Sequence, residues 1–173
     1  MNLVTMTEKE RLGAIRNIAK LFKERAYGHD VAGTFPLENY ADLRAINFPA
    51  LTIPKNLGGA GISLEEMLRL QAEIAKNDGS TGLAIGWHMG ISKHLGETDN
   101  WAQALYAEFA KDVLAKGALI NNAASEPATG SPTRGGRPET TAVKIADGWQ
   151  INGRKTFTTL SPVLDYIAVS ALS

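Results

Sequence analysis

The sequence predicts an α+β chain, with an N-terminal all-α helical bundle domain over residues 1–117 and an incomplete antiparallel β-barrel-like domain over 118–173. Three observations predict it. Apolar residues recur at helical spacing through the first two-thirds, most runs opening on a capping side chain or a proline. From Gly117 onward the runs become short and strand-like, separated by turn residues. Hydrophobic residues make up 44% of the chain against 21% charged, which is enough apolar material for a packed core.

Thr7 and Glu10 fit a capping box, in which hydroxyl and carboxylate each satisfy a free amide at a helix start. Leu12, Ile15, Ala19 and Phe22 follow at helical spacing, widened by Ile18 and Leu21, and carry the helix to about Arg25. Pro36 opens a short helix through Ile46, and Pro49 and Pro54 mark an extended connection. Ser63 and Glu66 form a second capping box, starting a helix that runs to about Asn77 and buries Met67, Leu70 and Ile74. Gly79 to Glu97 is rich in small residues and poor in charge, which suits a helix enclosed on several sides. Asp99 is placed to cap a last helix along Leu105, Phe109 and Val113.

Beyond Gly117, Ala118 to Ala124 is a short apolar run, followed by a turn-rich loop to Arg137. Thr140 to Ile145 alternates, Asp147-Gly148 is a hairpin turn, and Trp149 to Thr158 reads as the returning strand. Asp165 to Leu172 is a further apolar strand. A last strand with an uncovered edge implies a fragment of a longer protein.

With 18 basic and 18 acidic side chains, the chain lacks the basic excess of a nucleic-acid or anionic-membrane binder, so a small or neutral ligand is expected. The absence of cysteine rules out disulfides, thiolate metal sites and cysteine nucleophiles. The first ten residues turn polar too early for a signal peptide, and no apolar run approaches the roughly 18–20 residues of a membrane span. A cytoplasmic location is expected, and no metal ligand set is predicted.

Three segments carry candidate chemistry. Ile53 to Gly61 places glycines ahead of a helix, as phosphate loops do, but without the Lys-Ser/Thr of a P-loop or a βαβ setting; a tight structural turn is the expected reading. Asn121 to Ser131 supplies small and hydroxyl-bearing residues after a buried strand, at a domain junction of the kind that favours pockets. From the residues alone it fits a ligand-lining loop and an ordinary connection equally. Gly148 to Thr159 alone is a strand with a bulge or turn at Asn152-Gly153.

In combination, these segments resemble the acyl-CoA dehydrogenase family. Ser125-Glu126-Pro127…Gly130-Ser131 is similar to its Thr/Ser-Glu-Pro-x-x-Gly-Ser-Asp signature. Asp147 through Lys155 is similar to its Gly-x-x-Ile-Asn-Gly-x-Lys strand, with Phe157-Thr158-Thr159 at its flavin-contacting Trp-Ile-Thr position. The resemblance implies FAD as cofactor, held by Asn122, Ala124, Ser125, Gly130, Ser131, Phe157, Thr158 and Thr159. It also implies Ser131 as a contact of an acyl-CoA substrate and the Thr159 hydroxyl near flavin N5. Loss of an α-proton and passage of a β-hydride to the flavin would follow, in fatty-acid metabolism, with an electron-acceptor flavoprotein as partner and a homotetramer as assembly. The catalytic base would be a carboxylate of a C-terminal helical domain, expected beyond Ser173; neither Glu97 nor Glu126 is assigned that role.

Two departures open a second reading. Pro132 replaces the Asp that commonly follows the Gly-Ser pair, and Asn122 stands where many dehydrogenases have an apolar residue. With His88 on the fourth helix, this combination resembles flavin monooxygenases of the same superfamily, such as dibenzothiophene monooxygenase, which are supplied by a flavin reductase. There His88 would face the substrate side of the flavin, as hydrogen-bond or proton donor. A lone histidine on such a helix is otherwise a hydrogen-bonded core residue.

Overall fold

The computed structural model describes residues 1–132 and 135–173. They divide into two compact units, Met1–Leu119 and Ile120–Ser173.

The first unit is helical. α1 (Glu8–Ala32) starts on the expected capping box, with Thr7 N–H donating to Glu10 Oε2 at 2.8 Å. It runs a full two turns beyond Arg25, because nothing breaks it before Gly33, whose left-handed conformation (φ 63°) ends it. Its buried stripe of Ile15, Ala19 and Phe22 stops earlier, so Tyr27 and Val31 on the extra turns stay exposed. α2 (Leu37–Ala45) follows, then a short 3₁₀ turn at Phe48–Leu51 whose four residues are all buried.

α3 (Leu64–Ala75) begins at Ser63, whose hydroxyl accepts from Glu66 N–H at 3.1 Å. Only half of the expected capping box forms. The Glu66 carboxylate turns inward to Arg11, Oε1 to Nε at 2.5 Å and Oε2 to Nη2 at 3.1 Å. Arg11 also donates to the carbonyls of Leu3 and Met6, so one buried ion pair ties the N-terminal segment, α1 and α3 together.

α4 (Gly79–Glu97) matches its expected bounds, opened by Asp78, whose carboxylate accepts from Ser80 N–H at 3.0 Å. Its small residues set the packing distance to α3: a Cβ on Gly82 would lie 2.7 Å from Ala75 Cα. Asp99 does not cap the last helix. α5 (Gln103–Lys116) begins after Ala102 without a side-chain cap, since the chain first folds back to pack Trp101 edge-on against Phe109, ring centroids 6.2 Å apart. Phe22, Phe48, Leu70, Ile74, Ile85, Phe109 and Val113 fill the core, each such side chain contributing about 1.5–3 kcal/mol of burial. Among the described residues no helix is long and apolar enough to cross a membrane.

Among the described residues the second unit holds two small sheets and no closed barrel. β1 (Ile120–Ala123) pairs with β4 (Tyr166–Val169) in parallel, Ile120 opposite Tyr166 and Ala123 opposite Val169. This corrects the all-antiparallel expectation: the long connection through residues 124–165 lets β4 return in the direction of β1. β2 (Thr141–Ile145) and β3 (Gly148–Asn152) form the antiparallel hairpin, joined by Ala146 and Asp147, with Gly148 (φ 142°) already opposite Ile145. β3 ends at Asn152, six residues short of the expected Thr158, because the chain there leaves the hairpin and bonds the Ser125 loop instead.

Arg11→Met should cost about 3–5 kcal/mol by stranding a buried carboxylate, read as a lower urea midpoint. The double variant Arg11→Met with Glu66→Leu should recover most of that loss; a single-variant loss below about 1 kcal/mol would mean the pair is solvated.

Candidate functional site

In the β unit, the end of β1 and the segment after β3 are joined residue by residue. Thr156 N–H donates to Ser125 O at 2.9 Å, and Asn121 Nδ2 donates to Thr159 O at 2.8 Å. A tight turn runs from the first anchor through the second, closed by Thr159 N–H to Phe157 O at 2.9 Å and Ser161 N–H to Thr158 O at 3.1 Å. Phe157 (φ 57°) and Leu160 (φ 72°) both adopt left-handed backbone, each at a cost of about 1–3 kcal/mol for a bulky side chain. Leu160 recovers this by burial. Phe157 does not: the residue is 91% exposed.

Of the residues the resemblance points to, Asn122, Ala124, Ser125, Phe157, Thr158 and Thr159 therefore cluster around this turn and the β1 end. Asn122 is exposed, and Ala124, Ser125, Thr158 and Thr159 are partly so. Gly130 closes the following loop, exchanging hydrogen bonds with Glu126 at 3.0 and 2.9 Å, and Ser131 comes next along the chain. Residues 133 and 134, which follow Pro132 in the sequence, lie outside the described residues.

Glu126 is the charged centre of this unit, and the sequence reading gave it no task. It is 4% exposed. Oε1 accepts from Lys155 Nζ at 2.7 Å, Thr140 Oγ1 at 2.6 Å and Thr140 N–H at 3.0 Å. Oε2 accepts from Glu139 N–H at 2.5 Å and Thr129 Oγ1 at 3.3 Å. Lys155, then Thr140 and Glu139, hold its carboxyl far below the usual carboxylate range. A carboxylate so held is no general base at neutral pH. The signal available in the sequence was a single acid in a loop otherwise built of small and hydroxyl residues. Gly153 supports the same centre by its lack of a side chain, since a Cβ there would meet Thr140 Oγ1 at 2.1 Å.

His88 lies in the helical unit on α4. Its ring has no exposed area, sits 6.3 Å from the Phe109 ring, and its Nε2 is 3.1 Å from Pro49 O. Because a carbonyl only accepts, Nε2 carries the proton. The Ile53–Gly61 glycines turn their amides inward rather than outward: Leu57 and Gly59 N–H both donate to Pro54 O, Gly58 to Lys55 O and Gly61 to Ile53 O. These amides serve the turn.

The family model for the acyl-CoA dehydrogenase N-terminal domain matches residues 8–117. The chain belongs to the acyl-CoA dehydrogenase family. It is 46% identical over 173 residues to the Bacillus subtilis protein named "Putative acyl-CoA dehydrogenase YdbM", covering 99% of this chain and 45% of that one. It is 27% identical over 170 residues to CarC of Acetobacterium woodii, a subunit of the caffeyl-CoA reductase–Etf complex, covering 91% of this chain and 42% of that one. Among solved structures it resembles FMN-bound TdsC of Paenibacillus sp. A11-2, a dibenzothiophene monooxygenase, at TM-score 0.81 and 26% identity, over 94% of this chain and 39% of that one. The chain spans less than half the length of these relatives.

Within this acyl-CoA dehydrogenase family member, the Glu126 centre sets a pH response. Its carboxyl is depressed in the folded state, so the stability it contributes is full above its unfolded pKa, near 4.5, and drains away as pH falls below that value. Melting temperature should drop across that acid range, and Glu126→Gln should flatten the slope; an unchanged slope would remove Glu126 from the acid response. Gly153→Ala should displace Thr140 and cost about 1–3 kcal/mol in denaturant unfolding, whereas a neutral effect would show that the neighbouring strand yields freely.

Proposed function

We propose that this chain supplies one wall of the flavin site of an FAD-dependent oxidoreductase that dehydrogenates an acyl-CoA thioester between its α and β carbons. The observation that carries the reading is the Phe157–Leu160 turn, where a strained backbone holds an aromatic ring out of the core beside hydroxyl side chains. Strain and apolar exposure of this kind persist where a ligand later covers them. Phe157 would cover one face of a flat ring, while the hydroxyls of Ser125, Thr158 and Thr159 would meet its polar edge. Gly130 and Ser131 would extend the contact, Ser131 toward the thioester. The residues present fit the group: they offer one planar apolar surface and neutral donors, and the nearby carboxylate is already neutralised by Lys155. A bound flavin supplies the hydride acceptor.

Membership of the family and the similarity to YdbM support the dehydrogenase form. The similarity to CarC supports an electron-transferring flavoprotein as partner. On the same reading the enzyme is a cytoplasmic homotetramer serving fatty-acid metabolism.

A second reading, a monooxygenase fed reduced flavin by a separate reductase, is favoured by the similarity to TdsC and by the exposed Asn122 at the end of β1. There Asn122 would hydrogen-bond the substrate side of the ring, and His88 would need to turn from Pro49 to reach a substrate.

Anaerobic addition of an acyl-CoA panel to the full-length protein reconstituted with FAD should bleach the flavin absorbance. If no acyl-CoA bleaches it, while oxygen uptake with reduced FMN and an aromatic sulfur heterocycle yields an oxygenated product, the second reading replaces the first.

A further inference from the structure

We propose that Glu126 and Lys155 act as a positioning strap that sets the Phe157–Leu160 turn against the Ser125 loop, a role resting on the flavin reading above.

The turn's own hydrogen bonds do not specify its shape. Thr159 N–H to Phe157 O and Val163 N–H to Leu160 O are short-range closures, compatible with several turn geometries. Two left-handed non-glycine residues in four persist only when the surroundings over-determine them. The restraint comes from outside the turn. At its leading end, Lys155 Nζ reaches Glu126 Oε1 at 2.7 Å and Ser170 O at 2.5 Å, and the next residue's amide bonds Ser125 O. The side-chain link between 126 and 155 and the backbone link between 125 and 156 are neighbours on the same two strands of chain, so each fixes the other's register. At the trailing end, Asn121 Nδ2 holds Thr159 O. Phe157 is thereby pinned between two fixed points, both on β1 and its continuation.

A charged pair suits this task better than a neutral one. The ammonium has three donors and two of its acceptors, Glu126 and Ser170, lie on different segments, so its position is set by triangulation. Glu126 in turn is locked by backbone amides of Glu139 and Thr140, which belong to the lead-in of the β2–β3 hairpin. The strap therefore joins all three stretches of the unit to Lys155, two residues before the exposed ring. Neither side chain touches the proposed flavin face; both act through Phe157, Thr158 and Thr159.

The test uses full-length protein and two readouts, amide hydrogen exchange at Thr156 and Thr159 and titration with FAD and with FMN. Glu126→Gln and Lys155→Met should accelerate exchange at both amides and weaken flavin binding about tenfold, with a changed visible spectrum of the bound flavin, while α1–α5 exchange stays as in wild type. Lys155→Arg should restore the wild-type values. Unchanged exchange and affinity in both variants overturns the strap. If Glu126→Gln fails to fold, Lys155→Met decides: wild-type affinity and exchange overturn the proposal, and faster exchange with weaker binding supports it. A wild-type protein that binds neither flavin sinks the flavin reading instead, and exchange at Thr156 then decides the strap alone.

Discussion

Enclosing the Glu126 carboxylate removes its water, and a charge in that position survives only if protein donors replace the lost hydration. Those donors come from Thr129, Glu139, Thr140 and Lys155, which are spread over the whole stretch between β1 and the turn that follows β3. Long irregular connections ordinarily lack a reason to adopt one shape. Here the carboxylate provides it, because any other arrangement of the loop leaves a nearly buried anion short of partners. The parallel pairing of β1 with β4, the early end of β3 and the close approach of Gly153 to Thr140 all fit around that centre.

The helical unit was largely legible from sequence because its forces are local or periodic. Capping at Thr7, the stripe Ile15, Ala19, Phe22 and the bounds of α4 each follow from residues within one or two turns. Its misread details are those set by distant partners. Glu66 sits at the capping-box position, yet an arginine 55 residues earlier in the chain outbids the local amide. Asp99 has the chemistry of a cap, but the pull of Trp101 onto Phe109 moves the helix start past it. Extension of α1 beyond Arg25 was signalled by Gly33, while the apolar stripe, which tracks burial and not helicity, ended sooner.

The β unit was less legible for the same reason. Alternation located β2 and β3, but pairing direction depends on where the chain returns, which no local pattern records. The candidate flavin residues emerged only through resemblance, and several of them gather around a single turn. What the motif did not reveal is its division of labour. Ser125 and Thr159 are half-buried, whereas Glu126, next to Ser125, is buried, and the Lys155 side chain on the opposing segment is nearly so. Alternation along an extended chain makes neighbours in sequence opposite in orientation. A motif read as one patch thus joins partly exposed residues to a buried charged pair.

That separation bears on the chemistry. Proton abstraction needs a carboxylate with a free lone pair and a pKa within reach of neutrality. Glu126 has neither, since both oxygens are engaged and its carboxyl is held far below its ordinary value. The acid most conspicuous in the motif is therefore removed from the list of bases, and on the proposed flavin reading the wall it supports would be neutral toward the reaction type, since an aromatic face and hydroxyl edge would serve hydride acceptance and oxygen chemistry alike. On that reading dehydrogenation and oxygenation would differ in what approaches the wall, a thioester with an acidic α-carbon or an electron-rich ring with oxygen. With Nε2 donating to Pro49 O in a closed core, His88 serves packing.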